Sequence, residues 1–342
     1  MNLFEKMKNG VYMIAEMSAN HGGTLENALK IVEEAKQAGA DCVKIQTYTA
    51  DTLTINCKKD YFRIKGGLWD GYTFYDLYKE AYTPWEWQQC IKDKCDEVGI
   101  DFLSTPFDHT AVDFLEGLDI AFYKIASFEL VDIPLIEYVA SKGKPVIMSC
   151  GMASIEEIEE AVNACRKYGN NQIILLKCCS QYPANYADMN LAVIADMQKR
   201  FQLPIGLSDH SMGSLASVVA VTLGAKVIEK HVCLNKVIKS ADRGFSMEMK
   251  EYGNLVKDVQ NTLKTLGQAT YELTGNEKNG LNGRRSLFAV MDIREGEIFT
   301  KDNIRSIRPN NGLKPKHLQE LLGKQAKQSY EYGDPISETE IL

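Results

Sequence analysis

Short apolar runs alternate with amphipathic stretches along most of the chain, in a fixed order. The runs are Val11–Ser18, Asp41–Tyr48, Asp101–Phe107, Ala121–Ser127, Pro145–Gly151, Gln172–Cys179, Pro204–Asp209 and Lys226–Val232. They lack clean polar alternation, as expected of parallel strands covered on both faces. Between them, apolar residues recur every three or four positions. This spacing predicts helices over Leu25–Ala38, Pro84–Val98, Thr110–Glu116, Asp132–Ser141, Ser154–Lys167, Leu191–Arg200 and Leu215–Leu223, with Met247–Leu266 after the last run. Gly39 stops the first helix, and Ser154 with Glu157 forms a capping-box pattern. Eight strand–helix units over about 265 residues predict an α/β fold of the (β/α)₈ TIM-barrel type. An open doubly wound sheet is the alternative, but the glycine-rich phosphate loop it usually carries after its first strand is missing.

Two stretches break the alternation. Thr49–Thr83, after the second run, is too long for a plain connection, and long excursions at that face of a barrel shape substrate binding. Beyond a polar linker at 268–283, short β-like runs such as SLFAVMDI and KDNIRSIRP alternate with turn signals. The expected organisation is a catalytic barrel over 1–267, the linker, and a small β-rich domain over 284–342.

Composition narrows the function classes. Of 342 residues, 45% are hydrophobic and 25% charged, ordinary for a soluble globular protein. The net charge of −7 gives no reason to expect nucleic acid or an anionic membrane as partner, so an anionic substrate needs local cations. Nine cysteines without paired CxxC spacing read as reduced thiols in a cytoplasm rather than a zinc site. MNLFEKMKNG has no apolar signal core, and no run approaches transmembrane length.

The candidate chemistry stands at strand ends, where barrels of this type keep their active sites. The first run delivers Glu16, and Asn20 follows it in a turn; Lys44 and Gln46 lie in the second, Ser104 and Thr105 in the third. Lys124, Ser127 and Glu129 belong to the fourth, Ser149 and Ser154 to the fifth, and Lys177, Ser180 and Tyr182 to the sixth. Consecutive runs deliver His210 and His231. Ringed by Ser208, Asp209 and Glu229, these two can hold a divalent metal, whereas a single strand-end histidine is more often a core or surface group. Lys44 and Lys124 interrupt apolar runs. A buried ammonium needs an anion, either Glu16 or Glu229 in an internal salt bridge or a small anionic ligand at the barrel mouth. His109, His317 and Cys150 read as surface, capping or inert groups.

Together AEMSANHGG, VKIQTY, STPFD, YKIASFE, KPVIMSCGMAS, KCCSQYP, GLSDHSMG and VIEKHV resemble the sialic acid synthase family, and RRSLFAVMDIREGEIFTKDNIRSIRPNNGLKP resembles its antifreeze-like (SAF, β-clip) domain. The resemblance covers nearly the whole chain. Within the family, KGGLWDGYTFYDLYKEAYTPWEW resembles the pseudaminate-forming branch more than the N-acetylneuraminate or legionaminate branches. It implies condensation of phosphoenolpyruvate with an N-acetylated amino sugar, 2,4-diacetamido-2,4,6-trideoxy-L-altrose, releasing phosphate.

By the same resemblance His210 and His231 hold Mn²⁺ or Mg²⁺, with Co²⁺ a further option. Lys44, Lys124, Ser154, Ser180 and Ser208 hold phosphoenolpyruvate, and Glu16 orients water or the ligand sphere. Gln46, Glu129, Tyr182 and Asp242 surround the sugar. Arg308, in RPNNG, enters the site of a partner subunit in a domain-swapped homodimer. Cys150 stands where relatives often carry threonine, which removes one hydroxyl donor. Two other classes remain at this point. One is a carbohydrate- or ice-binding protein, which has no need of a metal beside an anion site. The other is an aldolase using Lys44 or Lys124 as a Schiff base.

Overall fold

The computed structural model describes residues 3–342. These form two units, one reaching Gly267 and one running Gln268–Leu342. In the first, eight parallel strands close into a barrel: β1 (Tyr12–Glu16), β2 (Cys42–Thr47), β3 (Asp101–Pro106), β4 (Tyr123–Ile125), β5 (Val146–Ser149), β6 (Ile173–Cys178), β7 (Ile205–Asp209) and β8 (Val227–Cys233). Closure is by β1 on β8, with Ile14 beside Glu229 and Glu16 beside His231. A two-residue β9 (Met247–Glu248) adds to the end of β8. The TIM barrel expected from the apolar pattern is thus the observed fold, and every expected helix is present within a few residues of its forecast ends.

Alternation within each strand sorts side chains to two sides. Tyr12, Ile14, Cys42, Leu103, Phe122, Ile147, Ile174, Leu176 and Val227 pack together inside the barrel. Their neighbours, such as Met13, Val43, Phe102, Met148 and Leu207, face the helices in a larger outer core. Leu3 and Met7 of an N-terminal helix, Leu3–Asn9, join the inner cluster at the end where the strands begin. That helix is absent from the sequence reading. Where β7 passes β8, a Cβ on Gly206 would sit 2.5 Å from the Val227 carbonyl oxygen and 2.6 Å from Leu176, so only glycine fits.

Local signals set the helix ends. Thr24 caps Leu25–Ala38 by accepting from the Asn27 amide, and left-handed Gly39 ends it. The forecast box at Ser154 forms: its hydroxyl accepts from the Glu157 amide, and Glu157 accepts from the Ser154 amide.

The second unit has its own core, including Leu287, Ile293, Phe299, Ile304, Leu313, Tyr330 and Ile336. It holds less regular strand than its sequence suggests. β10 (Ser286–Ala289) pairs antiparallel with β11 (Ile304–Ile307), and isolated bridges join Ile293 to Tyr330 and Ile298 to Gln325. The stretch read as a linker contains a short helix, Gly275–Asn279, and a 3₁₀ turn, Gly280–Gly283. No helix among the described residues is long and apolar enough to cross a membrane.

Candidate active site

At the carboxyl ends of the strands the inward positions turn from apolar to polar. Four charges meet there, all at most 4% exposed. Lys44 Nζ lies 2.6 Å from Glu16 Oε2 and 3.7 Å from Glu229 Oε2, and Lys124 Nζ lies 3.9 Å from Glu229 Oε2. Two cations and two carboxylates therefore cancel. The internal salt bridges expected of the buried lysines are present, and they stand at the barrel mouth.

Burial works against every charge here. It lowers Lys124 despite Glu229, while at Lys44 the pull of Glu16 and Glu229 outweighs burial and raises the group. Burial raises Glu16 despite Lys44; at Glu229 the two lysines outweigh burial and lower it. Hydroxyls surround the cluster. Lys124 Nζ donates to Ser149 Oγ at 2.6 Å, Lys44 Nζ to Thr105 Oγ1 at 3.4 Å, and Ser208 Oγ to Glu229 Oε1 at 2.9 Å. A Cβ on Gly151 would fall 2.2 Å from Ser180 Oγ and 2.8 Å from Ser127 Oγ, so the β5 loop presses its backbone against two serines.

His210 and His231 stand at the same rim, ring centroids 5.3 Å apart. His210 Nδ1 lies 3.0 Å from the Cys179 carbonyl oxygen, which fixes the ring and leaves Nε2 for a ligand. Burial, then the cations His210 and Lys44, hold His231 far below the usual imidazole range, so its ring is neutral. Its Nδ1 is buried without a hydrogen-bond partner. Cys178 Sγ is 3.8 Å from His210 Nδ1; burial raises this thiol, but the imidazole outweighs it and brings it to about 7. Among the described residues no third His, Cys, Asp or Glu completes a ligand cluster. Two fixed imidazoles, one with an orphaned nitrogen, fit a divalent cation whose remaining positions go to water or substrate oxygen.

Asp209, expected in the ligand ring, points the other way. Strand parity sends Ser208 and His210 inward and Asp209 outward, where it pairs with Lys230 at 3.0 Å and accepts from Ser211 and Ser217. Asn20 also differs from expectation, since its amide is engaged by the protein itself. Ser154 is exposed, and its hydroxyl oxygen serves the helix cap.

Beyond the charges opens a cleft of about 660 Å³. The Thr49–Thr83 excursion roofs it with Tyr61, Phe62, Ile64, Trp69, Phe74 and Tyr78. Gln46, Glu129, Tyr182, His231 and Asp242 line its floor. Gln46 Nε2 donates to Glu16 Oε1 at 3.1 Å and Ser18 Oγ at 3.0 Å, joining the charge cluster to the cleft. Burial pushes Glu129 up to about 7, and its Oε2 has no partner. Tyr182 packs at a tilt against His210, centroids 4.3 Å apart, and Phe245 meets His231 edge-on at 4.9 Å. Trp69 donates its indole N–H to the Ala241 carbonyl at 3.1 Å.

The NeuB family model matches residues 31–271 and the SAF domain model residues 284–342. The chain belongs to the NeuB family. This NeuB chain is 45% identical to the pseudaminic acid synthase of Campylobacter jejuni subsp. jejuni (serotype O:23/36), over 97% of its own length and 96% of the relative's. It is 40% identical to the pseudaminic acid synthase of Helicobacter pylori over 96% of its length and 97% of the relative's. The N,N'-diacetyllegionaminic acid synthase of Legionella pneumophila is 33% identical, covering 95% and 93%. Among solved structures, the N-acetylneuraminic acid synthetase of Leptospira borgpetersenii in complex with citrate superposes with a TM-score of 0.70 at 33% identity, covering 80% of this chain and 90% of that one.

Within this NeuB chain all the expected site residues except Ser154 and Ser180 fall into three groups. Glu16, Lys44, Lys124, Ser208, His210 and His231 stand together at the inner rim. Gln46, Glu129, Tyr182 and Asp242 line the cleft. Arg308 lies exposed in the second unit, beyond the end of β11. Sequence reasoning undervalued Glu229, shared by both lysines, and Ser149, which binds Lys124. Inward strand parity would have flagged both. Trp69 and Phe245 come from irregular segments, where no periodicity marks them.

Proposed function

We propose that the chain condenses phosphoenolpyruvate with the open-chain aldehyde of 2,4-diacetamido-2,4,6-trideoxy-L-altrose and water, giving pseudaminate and phosphate. The observation that carries the chemistry is a pair of neighbouring imidazoles on the same barrel rim as two buried lysines ringed by hydroxyls. The choice of sugar rests on likeness to the two pseudaminic acid synthases.

Lys44 and Lys124 receive the phosphate and carboxylate of phosphoenolpyruvate, helped by the hydroxyls of Thr105, Ser127, Ser149, Ser180 and Ser208. Because Glu16 and Glu229 already neutralise the lysines, an arriving anion raises the carboxylates' proton affinity. Glu16, which burial already pushes up, takes the proton and acts as the acid–base group. Gln46, Glu129, Tyr182 and Asp242 orient the sugar so that its aldehyde carbon meets the enol carbon. A divalent cation, Mn²⁺ or Mg²⁺, on His210 and His231 would polarise the aldehyde oxygen.

The enol carbon forms the new C–C bond, the aldehyde oxygen gains a proton, and C2 becomes oxocarbenium-like. Water adds to C2 and loses a proton. Phosphate then leaves with the C2–O electron pair as the C2 hydroxyl gives up its proton, and the 2-keto acid remains. We assign Arg308 to the site of a second copy in a domain-swapped homodimer, and nine unpaired thiols favour a reducing compartment such as the cytoplasm. The test is phosphate release from phosphoenolpyruvate with the L-altrose derivative and a panel of other N-acetylated hexoses, with and without EDTA. The expected result is EDTA-sensitive release with the L-altrose derivative above the rest; higher turnover of another sugar would reassign the chain within its family.

A further inference from the structure

Asp242 and Phe245 reach the cleft on a segment that has no helix or strand of its own. Between the end of β8 at Cys233 and β9 at Met247 the chain runs irregularly, and Val237 within it is 86% exposed. Such a segment is ordinarily mobile. Yet its two cleft-lining side chains are nearly buried, Asp242 at 8% and Phe245 at 2% exposed.

The Ser18–His21 turn after β1 grips the segment through one residue. Asn20, 1% exposed, donates from Nδ2 to the Val232 carbonyl and to Ser246 Oγ, both at 2.8 Å, and accepts from Ser240 Oγ at 2.6 Å. Its bonds thus hold both flanks of Asp242. Ser246 Oγ donates in turn to the Asp242 carbonyl at 2.7 Å, and the Ala19 amide donates to Asp242 Oδ2 at 3.4 Å. Close packing adds to the grip: a Cβ on Gly22 would lie 2.5 Å from Ile238 Cγ2.

We propose that Asn20 is a positioning residue for the sugar half of the reaction, pinning the 234–246 segment so that Asp242 and Phe245 meet the sugar. Only a planar amide offers two donors and an acceptor in this arrangement. Aspartate could not donate to the Val232 carbonyl, and serine could not span all three partners. The charge cluster makes none of these bonds, so the effect falls on one substrate.

This inference rests on the proposed condensation, and the test separates the two. In the full-length, metal-loaded enzyme, Asn20→Ala raises KM for the sugar by roughly tenfold, the worth of one to two buried hydrogen bonds, and leaves KM for phosphoenolpyruvate within about twofold. Ser240→Ala removes one bond at a partly exposed residue. It raises the sugar KM by about threefold without lowering the melting temperature, and carries the test alone if Asn20→Ala does not fold. Combining Asn20→Ala with Asp242→Asn adds little to Asp242→Asn alone, because both act through one group. Amide hydrogen exchange across 234–246 reads the same pin without substrate and rises in Asn20→Ala while the strands stay protected. Equal changes in both KM values, an unchanged sugar KM, additive effects or unchanged exchange would each overturn the proposal. Absence of phosphate release by the wild type with every sugar sinks the condensation instead, leaving exchange to decide on the pin.

Discussion

Replacing Glu229 by glutamine tests the charge cluster most directly. The change keeps side-chain volume and an acceptor for Ser208, and removes one negative charge from between two ammonium groups at 3.7 and 3.9 Å. Each contact is worth on the order of 4 kcal/mol at the effective dielectric of a protein site. Desolvation already cancels much of that, so the expected net loss is about 3–5 kcal/mol, the usual cost of breaking a buried pair. For a barrel of this size that lowers the melting temperature by roughly 10 °C.

The loss depends on pH. Burial already lowers Lys124, and without Glu229 it falls further below its unfolded value. The unfolded chain then binds more protons, so the variant's stability rises with pH. Its deficit is fully present from above the carboxylate range, where wild-type Glu229 is ionised, up to the lysine's lowered value, and shrinks as pH climbs from there towards the unfolded value. A bound anion supplies the missing charge, so inorganic phosphate raises the variant's melting temperature by more than the wild type's. Scanning calorimetry across pH, with and without phosphate, checks all three statements. A variant melting within about 2 °C of wild type at neutral pH, or gaining no more from phosphate, would refute the shared-charge account.

Other perturbations address single parts. His210→Ala and His231→Ala abolish turnover and the calorimetric heat of Mn²⁺ binding while leaving far-ultraviolet dichroism intact; retained Mn²⁺ affinity in both removes the metal assignment. Glu129→Gln relieves a buried carboxyl that titrates at about 7 rather than 4.5. The native form holds a proton there that the unfolded chain has lost, so wild-type stability falls between those values as pH rises. The variant flattens that slope and gains on the order of 1–3 kcal/mol at pH 8, read by urea unfolding. Gly206→Ala drives a methyl into the Val227 carbonyl and costs about 2–3 kcal/mol, since a strand backbone cannot step aside.

The barrel was legible because its signals are periodic and redundant. Eight apolar runs, each followed by an amphipathic stretch, leave few topologies, and caps at Ser154 and Gly39 mark their own helix ends. Strand-end chemistry was legible for a related reason, since polar residues in apolar runs are costly unless used. Asp209 misled because adjacency in sequence is opposition across a strand: Ser208 and His210 face the site while Asp209 holds Lys230 behind it. Ser154 was a surface cap before it was anything else. Trp69, Phe245 and the grip of Asn20 lay beyond reach, because partners such as Asn20 and Ser246 are far apart in sequence and no period links them.

The charge balance at the mouth explains how a chain of net charge −7 can present itself to an anion. Two free lysines would attract phosphoenolpyruvate strongly but would cost the empty barrel several kcal/mol in unpaired buried charge. Glu16 and Glu229 remove that cost and leave a neutral site, so affinity must come from directed donors and from proton uptake rather than from net field. The structure supplies both. Ser149, Thr105 and Ser208 stand on the lysines and on Glu229, and Glu16 is the carboxylate that burial makes easiest to protonate. Register places Glu16 beside His231 on β8 and Lys44 on β2. Of the cluster's two carboxylates, the one that burial pushes up therefore stands between Lys44 and the imidazole pair.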